Sequence, residues 1–135
     1  MSTYPPVRLA IADDHILFRK GLRALLGSFS EVEVLFEAGD GQELLERLDG
    51  QDPRPDVILM DLQMPVLDGL QTTRLLRAQY PRIRVVIISM HDEPELIDSL
   101  KMEGAHGYLL KNASPEEMRN AIRDAAGHAL ASAKQ

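Results

Sequence analysis

Three carboxylates, a hydroxyl and an ammonium stand at the ends of apolar runs in this 135-residue chain. Asp13 and Asp14 follow VRLAIA, Asp61 follows VILM, Ser89 closes RVVIIS, and Lys111 follows GYLL. A charge at the end of an apolar run is costly unless something pairs with it. Three carboxylates brought together cannot all stay ionised without a counter-charge. A hard cation relieves the repulsion, and Mg²⁺ suits the set because it binds through one or two carboxylates, waters and phosphate oxygens. Lys111 adds a point charge and Ser89 a neutral hydrogen-bond donor. Together these groups describe a receptacle for a phosphoryl group, where positioning and charge neutralisation carry the chemistry. Asp61 is then the nucleophile, its carboxylate oxygen attacking phosphorus to give an aspartyl phosphate.

Such convergence requires a scaffold that gathers strand ends. Val7–Ala12, Val32–Ala38, Val57–Met60, Arg84–Ser89 and Gly107–Leu110 read as strands. VILM and VVII lack polar alternation, as expected for central strands of a parallel sheet covered on both faces. Helical spacing predicts helices over His15–Leu26, Gly41–Leu48, Asp68–Gln79 and Glu93–Glu103, with a last one starting at Ser114-Pro115-Glu116-Glu117. In that start Ser is a favoured N-cap, Pro suits the first helical position, and Glu three residues after the cap completes a capping box. Strands alternating with helices over about 120 residues predict a doubly wound, five-stranded parallel α/β sheet with helices on both faces. Ligand chemistry in such a sheet gathers at the carboxyl ends of the strands.

Composition narrows the function classes. Apolar residues make up 44% and charged residues 27%, ordinary for a globular domain. There is no Cys, which removes disulfides and thiolate chemistry. The net charge is −6, and Lys and Arg form no dense cluster, which argues against direct binding of DNA by this chain. No signal-peptide pattern or long apolar stretch is present, so a cytoplasmic protein with no membrane association is expected.

The motifs IADD, VILMDLQMPVLDG, VVIIS and GAHGYLLK, the last with an aromatic three residues before its lysine, together resemble the receiver domain of two-component response regulators. ADDH near the start and LKNASPEE near the end look like the LuxR/NarL-type branch. The resemblance spans Val7 to about His128 and implies a flavodoxin-like fold with strand order 2-1-3-4-5. It implies that Asp61 is the phosphoacceptor. Mg²⁺ would be held by Asp14, Asp61 and the main-chain carbonyl of Gln63, with Asp13 acting through water. Ser89 resembles the switch hydroxyl, Tyr108 the switch aromatic and Lys111 the phosphate-contacting lysine. Gln63 and His91 stand where such proteins tune phosphoryl hydrolysis.

Further expectations follow from the same resemblance. The phosphodonor would be a sensor histidine kinase, with self-phosphorylation and self-dephosphorylation but no independent substrate turnover. Phosphorylation would promote a homodimer. The output would be transcription through a C-terminal helix-turn-helix absent from this chain. Residues 1–6 are expected as a lead-in, 7–128 as the receiver domain, and 129–135 as a tail or the start of a linker. Asn112 stands where many receivers have proline.

Single residues separate this reading from its rivals. A phosphohydrolase with an aspartyl nucleophile places a second Asp two residues later as acid and base, and Gln63 stands there instead. A nucleotide-binding module needs a glycine-rich loop after the first strand, where ADDHILF stands. A degenerate receiver would lack a key position, and none is missing. Asp68 and Gly69 read as loop and helix-start residues. His15, His106 and His128 show no metal-ligand spacing and read as surface or structural.

Overall fold

In the computed structural model the backbone is described over residues 5–134 and the side chains over 5–127. Strand β1 (Val7–Ala12) leads to helix α1 (Ile16–Gly27), then β2 (Val32–Ala38), α2 (Gly41–Asp49), β3 (Val57–Asp61) and α3 (Gly69–Gln79). The order continues with β4 (Arg84–Ser89), α4 (Pro94–Met102), β5 (Gly107–Leu110) and α5 (Pro115–Lys134). All strand pairs are parallel, in the order β2-β1-β3-β4-β5. The parallel sheet is the one the alternation of runs predicts, and its order is the flavodoxin-like one that the receiver resemblance implies. His128 and the residues after it lie outside the described side chains.

Side chains alternate between the faces of a strand, so residue parity sorts the core. Leu9, Ile11, Val57, Leu59, Val86, Ile88 and Leu109 pack on one face against Leu22 and Leu26 of α1 and Met118 and Ile122 of α5. Ala10, Ala12, Ile58, Met60, Val85 and Ile87 pack on the other face against Leu44 and Leu48 of α2, Leu76 of α3 and Leu100 of α4. Every residue of β3 is buried, which is why its sequence shows no polar alternation. Fully burying each of its Val, Ile, Leu and Met side chains stabilises the fold by about 1.5–3 kcal/mol.

Local chemistry ends the elements where the sequence suggests. Asp68 caps α3 through the Gln71 backbone N–H, and the Gln71 side chain accepts from the Asp68 N–H, a reciprocal capping box. Ser114 and Glu117 make the same reciprocal pair at the start of α5. One strand is longer than expected. Strand β3 keeps its register through Asp61, which stands opposite Ile88, and the Leu62 N–H then donates to the Ile88 carbonyl. The nucleophile candidate therefore sits on the last rung of a central strand and not on the loop after it.

Candidate functional site

Parity decides which side chains can meet. On β1 and β3, residues 9 and 11 and residues 57 and 59 face the α1/α5 layer, so Asp13 and Asp61 face it too. Ala12 pairs with Met60, which makes Asp13 and Asp61 lateral neighbours on one face of the sheet. Lys111 shares the parity of Leu109, on the same face. Ser89 and Tyr108 have the opposite parity, facing α4. One side of the carboxyl rim thus carries the charges, and the other carries the hydroxyl and the aromatic.

The distances fit this placement. Lys111 Nζ lies 3.2 Å from Asp13 Oδ2 and 3.3 Å from Asp61 Oδ2, between the two buried carboxylates. Its ammonium stands 4.6 Å from the ring centroid of Phe18, a cation–π contact from the first turn of α1. Asp13 and Asp61 are 2% and 4% exposed, whereas Asp14 opens to solvent. Burial pushes the Asp61 carboxyl above the ordinary carboxylate range, and the Asp13 charge adds to this. Lys111 and the Gln63 backbone N–H pull it down without cancelling the rise.

The donor set suits a divalent cation. Ligand atoms of Asp13, Asp14, His15 and Asp61 all lie within 4.8 Å of one another. Hard oxygen donors carrying more negative charge than Lys111 neutralises are what Mg²⁺ or a similar ion requires.

On the opposite parity, Ser89 is buried, and its Oγ accepts the His91 N–H at 3.1 Å. The Tyr108 hydroxyl donates to the His91 carbonyl at 2.5 Å. Ser89 and Tyr108 therefore grip the two backbone groups of one residue in the loop between β4 and α4. The His91 side chain is half-exposed, 3.5 Å from Glu93. The Gln63 side chain is exposed, and its backbone N–H points at Asp61.

Four positioning features escape a reading of single residues. His15 lies at the surface, as expected, with its side chain 64% exposed, yet it also stands beside the carboxylates. Its Nδ1 is 3.2 Å from Asp13 Oδ1, 3.6 Å from Asp14 Oδ1 and 3.6 Å from Asp61 Oδ2. The available signal was its place directly after the acidic pair, where α1 begins. Arg19, one turn into α1, donates to the Asp13 carbonyl and to Glu37 of β2, tying the acidic loop to the sheet. Gly69 packs so closely under β3 that a Cβ there would stand 2.6 Å from the Asp61 carbonyl oxygen and 2.8 Å from Leu62 Cα. Val66 holds a left-handed φ of 68° in the loop after Asp61, a conformation that costs a β-branched residue about 1–3 kcal/mol.

Comparison with known proteins agrees with this geometry. The response regulator receiver domain family matches residues 9–123. The transcriptional regulatory protein MctR of Rhizobium johnstonii is 42% identical over 127 residues, which cover 94% of this chain and 58% of MctR. The transcriptional regulatory protein DegU of Brevibacillus brevis is 36% identical over 87% of this chain and 49% of its own length. The chain thus spans about half the length of these curated relatives. The signal receiver domain of the response regulator NarL of Mycobacterium tuberculosis superposes with a TM-score of 0.83 at 38% identity, covering 92% of this chain and 98% of that domain. A parallel sheet in the order 2-1-3-4-5, an acidic rim bridged by a lysine and these matches have one common explanation: the chain belongs to the response regulator receiver domain family, in its NarL/LuxR-type branch.

Proposed function

We propose that this domain accepts a phosphoryl group on Asp61 from the phosphohistidine of a sensor kinase and relays that event as a conformational switch. The observation that carries the reading is Lys111 lodged between Asp13 and Asp61 on the last rungs of adjacent strands. In the transfer an Asp61 carboxylate oxygen attacks phosphorus. The phosphorus–nitrogen bond of the donor breaks, a phosphorus–oxygen bond forms, and the leaving imidazole nitrogen takes up a proton. Asp14, Asp61 and the Gln63 carbonyl, with Asp13 through water, would hold Mg²⁺, which supplies charge neutralisation for the phosphoryl oxygens. The buried Lys111 ammonium adds a fixed positive charge and Ser89 a hydrogen bond. Hydrolysis later returns Asp61 to the carboxylate, so the domain turns over its own phosphoryl group and no independent substrate.

The switch is read from the His91 grip. A phosphoryl oxygen near Ser89 gives its hydroxyl a new partner, and the β4–α4 loop is then held mainly by Tyr108. Rearrangement of that loop reaches the groove lined by Ile97, Tyr108, Leu110 and Ala113. A local charge event thereby biases a two-state element. Homodimer formation on phosphorylation follows from that surface change.

The kinase would meet apolar side chains exposed around the carboxyl rim: Leu17 at 90%, Val66 at 74% and Met90 at 70%. None of the described helices is long and apolar enough to cross a membrane. The proposed encounter with the kinase would take place in the cytoplasm. Residues 7–128 act as the receiver, 1–6 as lead-in and 129–135 as a tail or the start of a linker to an output segment. By analogy with the transcriptional regulators it resembles, that segment is a DNA-binding helix-turn-helix.

The test is labelling by acetyl phosphate with Mg²⁺. Wild-type protein takes up one acid-stable, hydroxylamine-labile phosphoryl group, and Asp61→Asn takes up none. Persistent labelling of Asp61→Asn would place the acceptor elsewhere. Following the decay of the label in Gln63→Ala and His91→Ala reads the tuning role, with altered lifetime and unaltered acceptor expected.

A further inference from the structure

The cation site proposed above has a donor that carboxylate chemistry does not require. His15 closes the approach to α1, and its largely exposed ring presents Nδ1 to the carboxylates. Nδ1 stands 3.2 Å from Asp13 Oδ1, 3.6 Å from Asp14 Oδ1 and 3.6 Å from Asp61 Oδ2. It is also 3.2 Å from Lys111 Nζ. Neighbouring donors around a six-coordinate ion with bonds of 2.0–2.1 Å stand about 3 Å apart, and opposite donors about 4.2 Å apart. The nitrogen–oxygen separations and the 4.8 Å span of the whole set are therefore within a small contraction of a shared coordination sphere.

The backbone fixes this aim. The His15 N–H donates to Asp13 Oδ1 at 2.7 Å, closing a tight turn that returns the ring toward the carboxylate. The side chain does not cap the helix. The ring is thus free of a helix-capping duty and is set against the Asp13, Asp14 and Asp61 carboxylates and the Lys111 ammonium.

We infer that His15 is a nitrogen ligand of this site and gives first-row transition-metal ions an advantage there over Mg²⁺. Imidazole suits Ni²⁺, Zn²⁺ and similar ions, while carboxylate and carbonyl oxygen suit Mg²⁺. An ion that accepts nitrogen keeps the ring as a ligand. Mg²⁺ takes oxygen donors and water, so the ring contributes little to its binding. His15 accordingly sets which metal the domain prefers, a property separate from which residue accepts phosphorus. The inference rests on the divalent-cation reading of the cluster.

Three forms of the chain test it: wild type, His15→Ala and Asp14→Asn. The ring is largely exposed, so His15→Ala is expected to fold, and circular dichroism checks this. Mn²⁺ bound to each form is examined by pulsed electron paramagnetic resonance for modulation from a directly bound ¹⁴N. Affinities for Ni²⁺ and Mg²⁺ are measured by calorimetry. Imidazole modulation is expected in the wild type and absent in His15→Ala. The Ni²⁺ over Mg²⁺ preference is expected to fall about tenfold in His15→Ala, the scale on which single groups around a metal act. Mn²⁺ that binds in an Asp14-dependent way without nitrogen modulation, or a preference unchanged by His15→Ala, overturns the inference and leaves the cation site standing. Binding indifferent to Asp14→Asn overturns both.

Discussion

Asp61 is a carboxylate held where ionising is expensive, and that cost has a measurable sign. Burial and then the charge of Asp13 raise its folded-state pKa above the ordinary value. A raised acid contributes stability at low pH that is lost as pH climbs through the folded pKa. Above that point the metal-free domain bears the cost of a buried, repelled charge. Asp61→Asn cannot ionise, so in EDTA-containing buffer at pH 7 its melting temperature should rise by about 3 °C. The gain should shrink on acidification to the ordinary carboxylate range. Calorimetry across pH measures both, and a fall in melting temperature at pH 7 would contradict the assignment of cost to Asp61.

Gly69 acts at the same scale. A methyl group there meets backbone atoms of Asp61 and Leu62, which cannot swing aside as a flexible side chain would. Gly69→Ala should lower stability by about 1–3 kcal/mol. It should also slow labelling by acetyl phosphate about tenfold, because displaced reacting groups lose rate steeply. A urea titration and the labelling time course check the two parts.

At the scale of elements, α1 is fastened to the site by charge. Glu37 of β2 is raised by burial but held net below its usual range by hydrogen bonds from Arg23, Arg19 and Lys20. A lowered acid contributes stability above its unfolded pKa, which is lost as pH falls through the folded one. Glu37→Gln should therefore cost about 1 kcal/mol at pH 7, modest because Lys20 and Arg23 are solvent-screened. The cost should shrink toward pH 3, read from urea midpoints at the two pH values. Arg19, released from Glu37, would then hold the Asp13 carbonyl less firmly.

Elements were the most legible part of the sequence. Strands β1, β2, β4 and β5 fall on the residues their apolar runs suggested, and the Ser114 capping box forms as written. Asp13, Asp61, Ser89 and Lys111 were found because each interrupts an apolar run. Phe18 and Arg19 were not, because nothing local distinguishes them, and His15 carried only its place after the acidic pair. Their partners lie across the fold, as when Phe18 of α1 meets Lys111 after β5. Register also had to be seen: only the β1–β3 pairing sets Asp13 beside Asp61.

Over the whole molecule, parity and direction divide the labour. Parallel strands send all their carboxyl ends to one rim, and alternation then separates charge from switch. The amino rim is tied by contacts of another kind. The Arg8 N–H donates to Asp56 Oδ2 at 2.9 Å, and the Val85 N–H to His106 Nδ1 at 3.0 Å. The segment GQDPRP (50–55) joins α2 to β3 at this rim, a sheet's length from Asp61.

That polarity makes the 50–55 segment a tolerant point of entry. A short fluorescent or affinity peptide spliced between Gln51 and Asp52 would ride on the amino rim, with both ends returned to the positions they already occupy. Such a tagged protein should label with acetyl phosphate at the untagged rate, whereas the same splice between Met64 and Pro65 should not label at all. The domain is in this respect built like a tool with a handle and a working end, and the chain offers its handle to engineering.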